Sequence, residues 1–203
     1  MNVAHPRLLV GSMVAAVLVI GGYAWVQAMG NDDATGTEYD AVLEDPQSVV
    51  TFPTDGLTNG KVEGDPFPQA VFLDRDDTEI TTADLLGQQP LVVNLWYSSC
   101  APCAKELPDF AEVDAEAGDD VRFIGVNTID SVDEMERFAA DRGVQYTLLR
   151  DQYAQLVDGI EAVAFPITLF VTSDGTIVDQ TGPIDLDELR QKVTELQAAE
   201  AAL

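Results

Sequence analysis

Two cysteines and one histidine are all that this 203-residue chain offers a metal site or a disulfide framework. The histidine, His5, precedes a long apolar segment, so the rest of the chain has none. That excludes Cys–His proteolytic catalysis and the usual haem axial ligand from the body of the protein. Structural zinc takes four ligands and Cys100 with Cys103 supplies two, so zinc or copper held there would have to borrow carboxylates or a second molecule. No metal and no cofactor is expected. Basic residues are scarce too: lysine occurs only at Lys61, Lys105 and Lys192. All 36 acidic residues follow Gly30 and Arg7 is the one basic residue before it, so the remainder carries 9 − 36, or −27. Such a surface repels nucleic acid and anionic headgroups. It suits a salty medium, where counterions screen the self-repulsion; attraction to a basic partner is the alternative.

Charge is absent from Leu8 to Gly30, a run long enough to cross about 30 Å of hydrocarbon as a helix. Arg7 stands on its N-terminal side, and the positive-inside tendency then puts everything beyond Gly30 across the membrane. Residues 1–29 are therefore expected to be a transmembrane anchor or a signal segment. The stretch "VQA" at Val26–Ala28 passes for a cleavage site, but the apolar run exceeds the ~7–15 residues usual in a signal peptide, which favours a single-pass anchor. The catalytic part is expected outside the cytoplasm, membrane-tethered, or secreted if the segment is cleaved. Residues 30–60 hold seven acidic and no basic residues without periodicity, and read as a tether with a reach of roughly 30 Å. The alternative is that part of it, such as "SVVTF", adds an edge strand to the domain that follows.

Residues 61–203 carry the periodic patterning of a single globular domain. A domain of about 150 residues buries roughly 70% of its unfolded surface and needs no disulfide to stand. "FPQAVFLDRDDTEITTADLLG" predicts two short strands and a helical turn. "PLVVNLWY" and "VRFIGVNTI" are near-continuous apolar runs, the pattern of strands buried on both faces. Between them Leu107, Phe110 and Val113 form one stripe of a helix expected to bend at Pro108 and to end near Gly118. Ser131 and Glu134 have capping-box spacing at the start of a helix that closes at Gly143. "VQYTLL" reads as a strand and "DQYAQLVDG" as a short helix. "FPITLFVTSDGTIVDQTG" predicts a hairpin through Ser173, Asp174 and Gly175, followed by a helix capped by Asp185 with Leu186, Leu189, Val193 and Leu196 on one face. The order of elements predicts an α/β fold: a mixed sheet covered on both faces.

Cys100 and Cys103 have three conceivable uses. As a staple the pair is poor, because a disulfide across two intervening residues closes a short loop and removes little entropy from the unfolded chain. As a metal clip it lacks half its ligands. As a redox pair it is well placed: Cys100 falls where a strand ends and a helix begins, with Pro102 in the first turn. There, unpaired N–H groups and the helix dipole stabilise the thiolate that attacks disulfides. Cys103 lies one turn further in, so Cys100 attacks and Cys103 resolves.

"VVNLWYSSCAPCAKELPDF" together with "AFPITLFVTSDGTIV" resembles the thioredoxin superfamily, and within it the membrane-anchored TlpA-like thiol–disulfide oxidoreductases, including those of cytochrome c maturation. The resemblance covers about Gly64 to Leu196. It implies a thioredoxin-like mixed β-sheet flanked by helices, with an N-terminal strand addition and a helix-containing insertion before the proline motif. It implies Cys100 as nucleophile and Pro166 as the proline beside the sulfurs, in a cis peptide. Glu106 matches a glutamate that such reductases keep beside the pair, able to relay a proton and to make the pair more reducing. An exposed glutamate paired with a lysine is the alternative. Trp96 matches a family tryptophan or is simply core.

Two positions depart from the pattern. Asn94 stands where thioredoxin has a buried aspartate and carries no proton, which shifts any relay towards Glu106; otherwise it satisfies backbone groups in its strand. Ser99 stands where the family commonly has tryptophan. The expected partners are thiols and disulfides of exported proteins, apocytochrome c among them, and a membrane thiol–disulfide electron donor. Disulfide donation, peroxidase activity and a redox-inert metal-delivery module are the rival readings; the peroxidase lacks its threonine three residues before Cys100, where Tyr97 stands.

Overall fold

The computed structural model describes residues 58–203. The expected membrane segment, most of the expected tether and the "SVVTF" stretch lie outside the described residues. Among those described, no helix is long and apolar enough to cross a membrane.

The strands are β1 (Val71–Leu73), β2 (Glu79–Thr81), β3 (Leu91–Trp96), β4 (Arg122–Asn127), β5 (Thr147–Arg150), β6 (Ile167–Val171) and β7 (Ile177–Thr181). The α-helices are α1 (Thr82–Leu85), α2 (Ala101–Ala117), α3 (Val132–Ala140), α4 (Gln155–Gly159) and α5 (Leu186–Glu200). All seven strands form one sheet in the order β2-β1-β5-β4-β3-β6-β7. β3, β4 and β5 pair in parallel, while β6, β7, β1 and β2 join antiparallel. Parallel neighbours need crossovers, and α2 and α3 supply them. The β1–β2 hairpin stands at one edge of the sheet, and α3, β5 and α4 lie between β4 and the proline that precedes β6.

β3 lies between β4 and β6, in register from Leu91↔Arg122 to Trp96↔Asn127 and from Leu91↔Val171 to Leu95↔Ile167. All six of its residues are buried. Alternation along the strand divides them: Val92 and Trp96 face a cluster with Leu107, Phe110, Met135, Leu189 and Val193, whereas Leu91, Val93 and Leu95 face one with Phe72, Leu156, Ile160 and Ile167. Helices α2, α3 and α5 therefore cover one face, and α1, α4 and the 62–72 segment the other. Both faces are covered because every β3 residue is apolar except Asn94, and Asn94 shares the face of Val92 and Trp96.

The helix ends follow their caps. Ser131 accepts from the Glu134 amide, Asp185 from that of Glu188, and Gly118 closes α2. α2 continues as one helix of 17 residues through Pro108. The fold also reaches two residues into the stretch read as tether: Asn59 and Gly60 bond to residues 161–164, because the side chain of Asn59 matches backbone groups there.

Candidate active site

β3 delivers Tyr97, Ser98 and Ser99 to the carboxyl edge of the sheet, and the chain turns there into α2. Cys100 is the N-cap residue of that helix, and its sulfur accepts the Cys103 amide at 3.2 Å, the bond a serine or aspartate oxygen would normally accept. Pro102 occupies the first turn, where a missing N–H costs nothing, and that turn holds no acidic residue. Cys100 and Cys103 are joined as a disulfide. Both are buried, Cys103 completely and Cys100 to 5% exposure, so the first cysteine is the one that reaches solvent.

The turn before Cys100 is clamped. Asp130 accepts from the Ser98 amide and hydroxyl, both at 2.7 Å, and from Asn127 Nδ2 at 2.7 Å. Asn127 Oδ1 in turn accepts from the Ile129 and Asp130 amides. Tyr97 packs edge-on against Phe165, ring centroids 5.5 Å apart, and the Phe165–Pro166 peptide is cis, as the resemblance implies. The loop before Pro166 is held from the other side: Asn59 Oδ1 accepts from the Val163 and Ala164 amides, and its Nδ2 donates to the Ala164 carbonyl. Pro166 itself is buried at the start of β6.

Glu106 is only 3% exposed. Its Oε1 accepts from Asn94 Nδ2 at 2.9 Å and its Oε2 from the Ile184 amide at 3.4 Å. Burial pushes its carboxyl up to about 7, against the pull of these two donors, with Asp109 adding a smaller push upward. A lysine partner, the alternative open in the sequence, is absent; the carboxyl faces inward because Leu107 and Phe110 beside it draw that side of α2 into the core. Asn94 Nδ2 also donates to Thr168 Oγ1 at 3.2 Å, so Asn94 serves side chains of α2 and β6 rather than its own strand. A cleft of about 300 Å³ between the start of α2 and the 183–185 turn has Glu106 in its wall. The cleft brings solvent up to the wall that holds this carboxyl, one helical turn from Cys103. Trp96, wholly buried, stacks on Phe138 at 5.8 Å and is core.

Asp130, Asn127, Thr168 and Asn59 carried no signal in the sequence, being common polar residues far from the cysteines in the chain. Among the described residues no group of three or more histidine, cysteine, aspartate or glutamate side chains is arranged to hold a metal ion.

The profile of the AhpC/TSA family matches residues 63–180. The thiol:disulfide interchange protein HelX of Rhodobacter capsulatus is 31% identical over 129 residues, covering 62% of this chain and 70% of that protein. The thiol-disulfide oxidoreductase ResA of Bacillus subtilis is 27% identical over 117 residues, covering 57% and 65% respectively. Among solved structures, MTB dsbF in its mixed oxidized and reduced forms superposes with a TM-score of 0.57 at 29% identity, over 63% of this chain and 95% of that one.

Proposed function

The chain belongs to the AhpC/TSA family and is a thiol–disulfide oxidoreductase, and from that premise we propose that it reduces disulfides in exported proteins, apocytochrome c among them, from a membrane-tethered position outside the cytoplasm. The observation that carries the reading is the Cys100–Cys103 disulfide at the N-terminus of α2 with Glu106 buried one turn behind it. The uncharged run from Leu8 to Gly30, preceded by Arg7, supports the location.

In the reduced protein the Cys100 thiolate attacks one sulfur of a substrate disulfide, forming a mixed disulfide and releasing the other substrate sulfur as a thiolate. Cys103 gives up its proton and attacks the Cys100 sulfur, which forms the intramolecular disulfide and expels the second substrate thiolate. Two electrons pass to the substrate. A dithiol donor at the membrane returns them by the reverse exchange. Glu106 is the group suited to take the Cys103 proton, since a carboxyl titrating about 7 exchanges protons readily at neutral pH. Once charged, it disfavours a second negative charge nearby, which makes the pair more reducing.

Equilibration with glutathione tests the direction of electron flow. A potential of about −270 mV or lower is expected, and one near −120 mV would mark a disulfide donor instead. Cys100→Ser is expected to abolish exchange with a protein disulfide; unchanged exchange would remove the basis of the reading.

A further inference from the structure

Pro108 is the eighth residue of α2 and has no N–H to give the carbonyl four residues back. That carbonyl belongs to Ala104, the residue directly after Cys103. It is not left empty: Arg142 Nε donates to it at 3.2 Å, from 38 residues further along the chain. The same guanidinium serves a second orphan. At the end of α3 the Arg142 amide bonds to Ala139 at 3.0 Å, which deprives the Phe138 carbonyl of its helical partner, and Arg142 Nη1 donates to Phe138 at 2.9 Å. The guanidinium also lies over the Phe138 ring, 3.4 Å from its centroid, and that ring stacks on Trp96 at the end of β3. Among the described residues Arg142 joins no ion pair, although the chain has 36 acidic residues and ten basic ones.

We propose that Arg142 is a positioning residue for the Cys100–Cys103 pair: its guanidinium replaces the backbone donor that Pro108 removes and so fixes the first turn of the active-site helix. Two consequences follow for the sulfurs. The turn that carries the Cys103 amide, the donor to Cys100 sulfur, is held in place where its own hydrogen-bond ladder is broken. A cation also stands next to that turn, in a molecule whose surface is otherwise strongly negative. Both favour the Cys100 thiolate, hence the reduced pair. The proposal rests on the pair being redox-active.

The test compares wild type, Arg142→Gln, Pro108→Ala and the double variant in equilibrium with glutathione, together with the pH dependence of Cys100 alkylation in the reduced protein. Arg142→Gln is expected to shift the equilibrium towards the disulfide by about fivefold to tenfold and to move the alkylation profile to higher pH. Pro108→Ala supplies an N–H to the Ala104 carbonyl, so the same substitution in that background is expected to shift the equilibrium by about threefold or less. A shift below twofold, or an equal shift in both backgrounds, would overturn the role of Arg142. Arg142→Lys, which keeps the charge but not the fork, carries the test if the glutamine variant does not fold, with an intermediate shift expected and none counting against the role. Wild type that fails to equilibrate with glutathione overturns the redox reading itself; variants that match an active wild type overturn only Arg142.

Discussion

Asn94 donates a hydrogen bond of 2.9 Å to Glu106, and both side chains are buried, so the middle of β3 is tied to the active-site helix by a polar contact inside an apolar core. The donor favours the charged carboxylate while the surroundings favour the acid, and the two influences leave the group at about 7. Asn94→Ala removes one of only two donors. A hydrogen bond to a charged group contributes about 1.5–3 kcal/mol, so Glu106 is expected to titrate at least about one pH unit higher in the variant, followed by carboxyl carbon NMR. An unmoved titration would mean that Asn94 does not restrain the proton.

The same group makes stability depend on pH. Its folded value is raised from 4.5 to about 7, so the folded protein binds the proton more tightly than the unfolded chain. The resulting stabilisation is fully present below about 4.5 and is lost as pH rises through about 7. The difference amounts to roughly 3 kcal/mol. Urea titrations at pH 5 and pH 8 are expected to show that loss in wild type and to show most of it abolished in Glu106→Gln. Asp74, Asp84 and Glu116, held low by their hydrogen bonds, act in the acid range, whereas burial also raises Asp109 and Asp114, so the comparison with Glu106→Gln is what isolates the share of Glu106.

Asp130 holds the turn before Cys100 by accepting from Ser98 twice and from Asn127 once. Asp130→Ala leaves those donors unpaired in a half-buried setting. A loss of about 2 kcal/mol in unfolding free energy is expected, with slower but not abolished disulfide exchange, since neither sulfur is touched. Full retention of both rate and stability would show that the clamp is dispensable.

Gly125 lies in β4 beneath Trp96. A Cβ there would stand 2.8 Å from Leu148 Cδ2, 3.0 Å from Trp96 Nε1 and 3.1 Å from Tyr146 Cε2. All three neighbours are packed side chains, so Gly125→Ala is expected to cost about 1–3 kcal/mol and to alter the near-ultraviolet circular dichroism of Trp96. Thermal melts of the two proteins in parallel decide it.

Much of this molecule is written in short-range pattern. Strand boundaries, the caps at Ser131 and Asp185, the hairpin through Asp174 and Gly175 and the placing of Cys100 at a strand-to-helix joint all depend on residues within about four positions of one another, where backbone geometry dictates contact. Local spacing reached Glu106 but left its environment open, because three residues after Cys103 is compatible with either side of the buried stripe. Sheet register and helix docking decided it. They bring Asn94 to Glu106 across 12 positions, Thr168 to Asn94 across 74 and Arg142 to Ala104 across 38. Such pairs leave no periodic trace, since each needs only one polar side chain at one depth on one face. The sequence alone therefore determined that two sulfurs meet at the start of one helix; the tertiary structure decided how deeply Glu106 is buried behind them and which guanidinium bonds the turn that carries them, because burial and distant pairings exist only once the segments are packed.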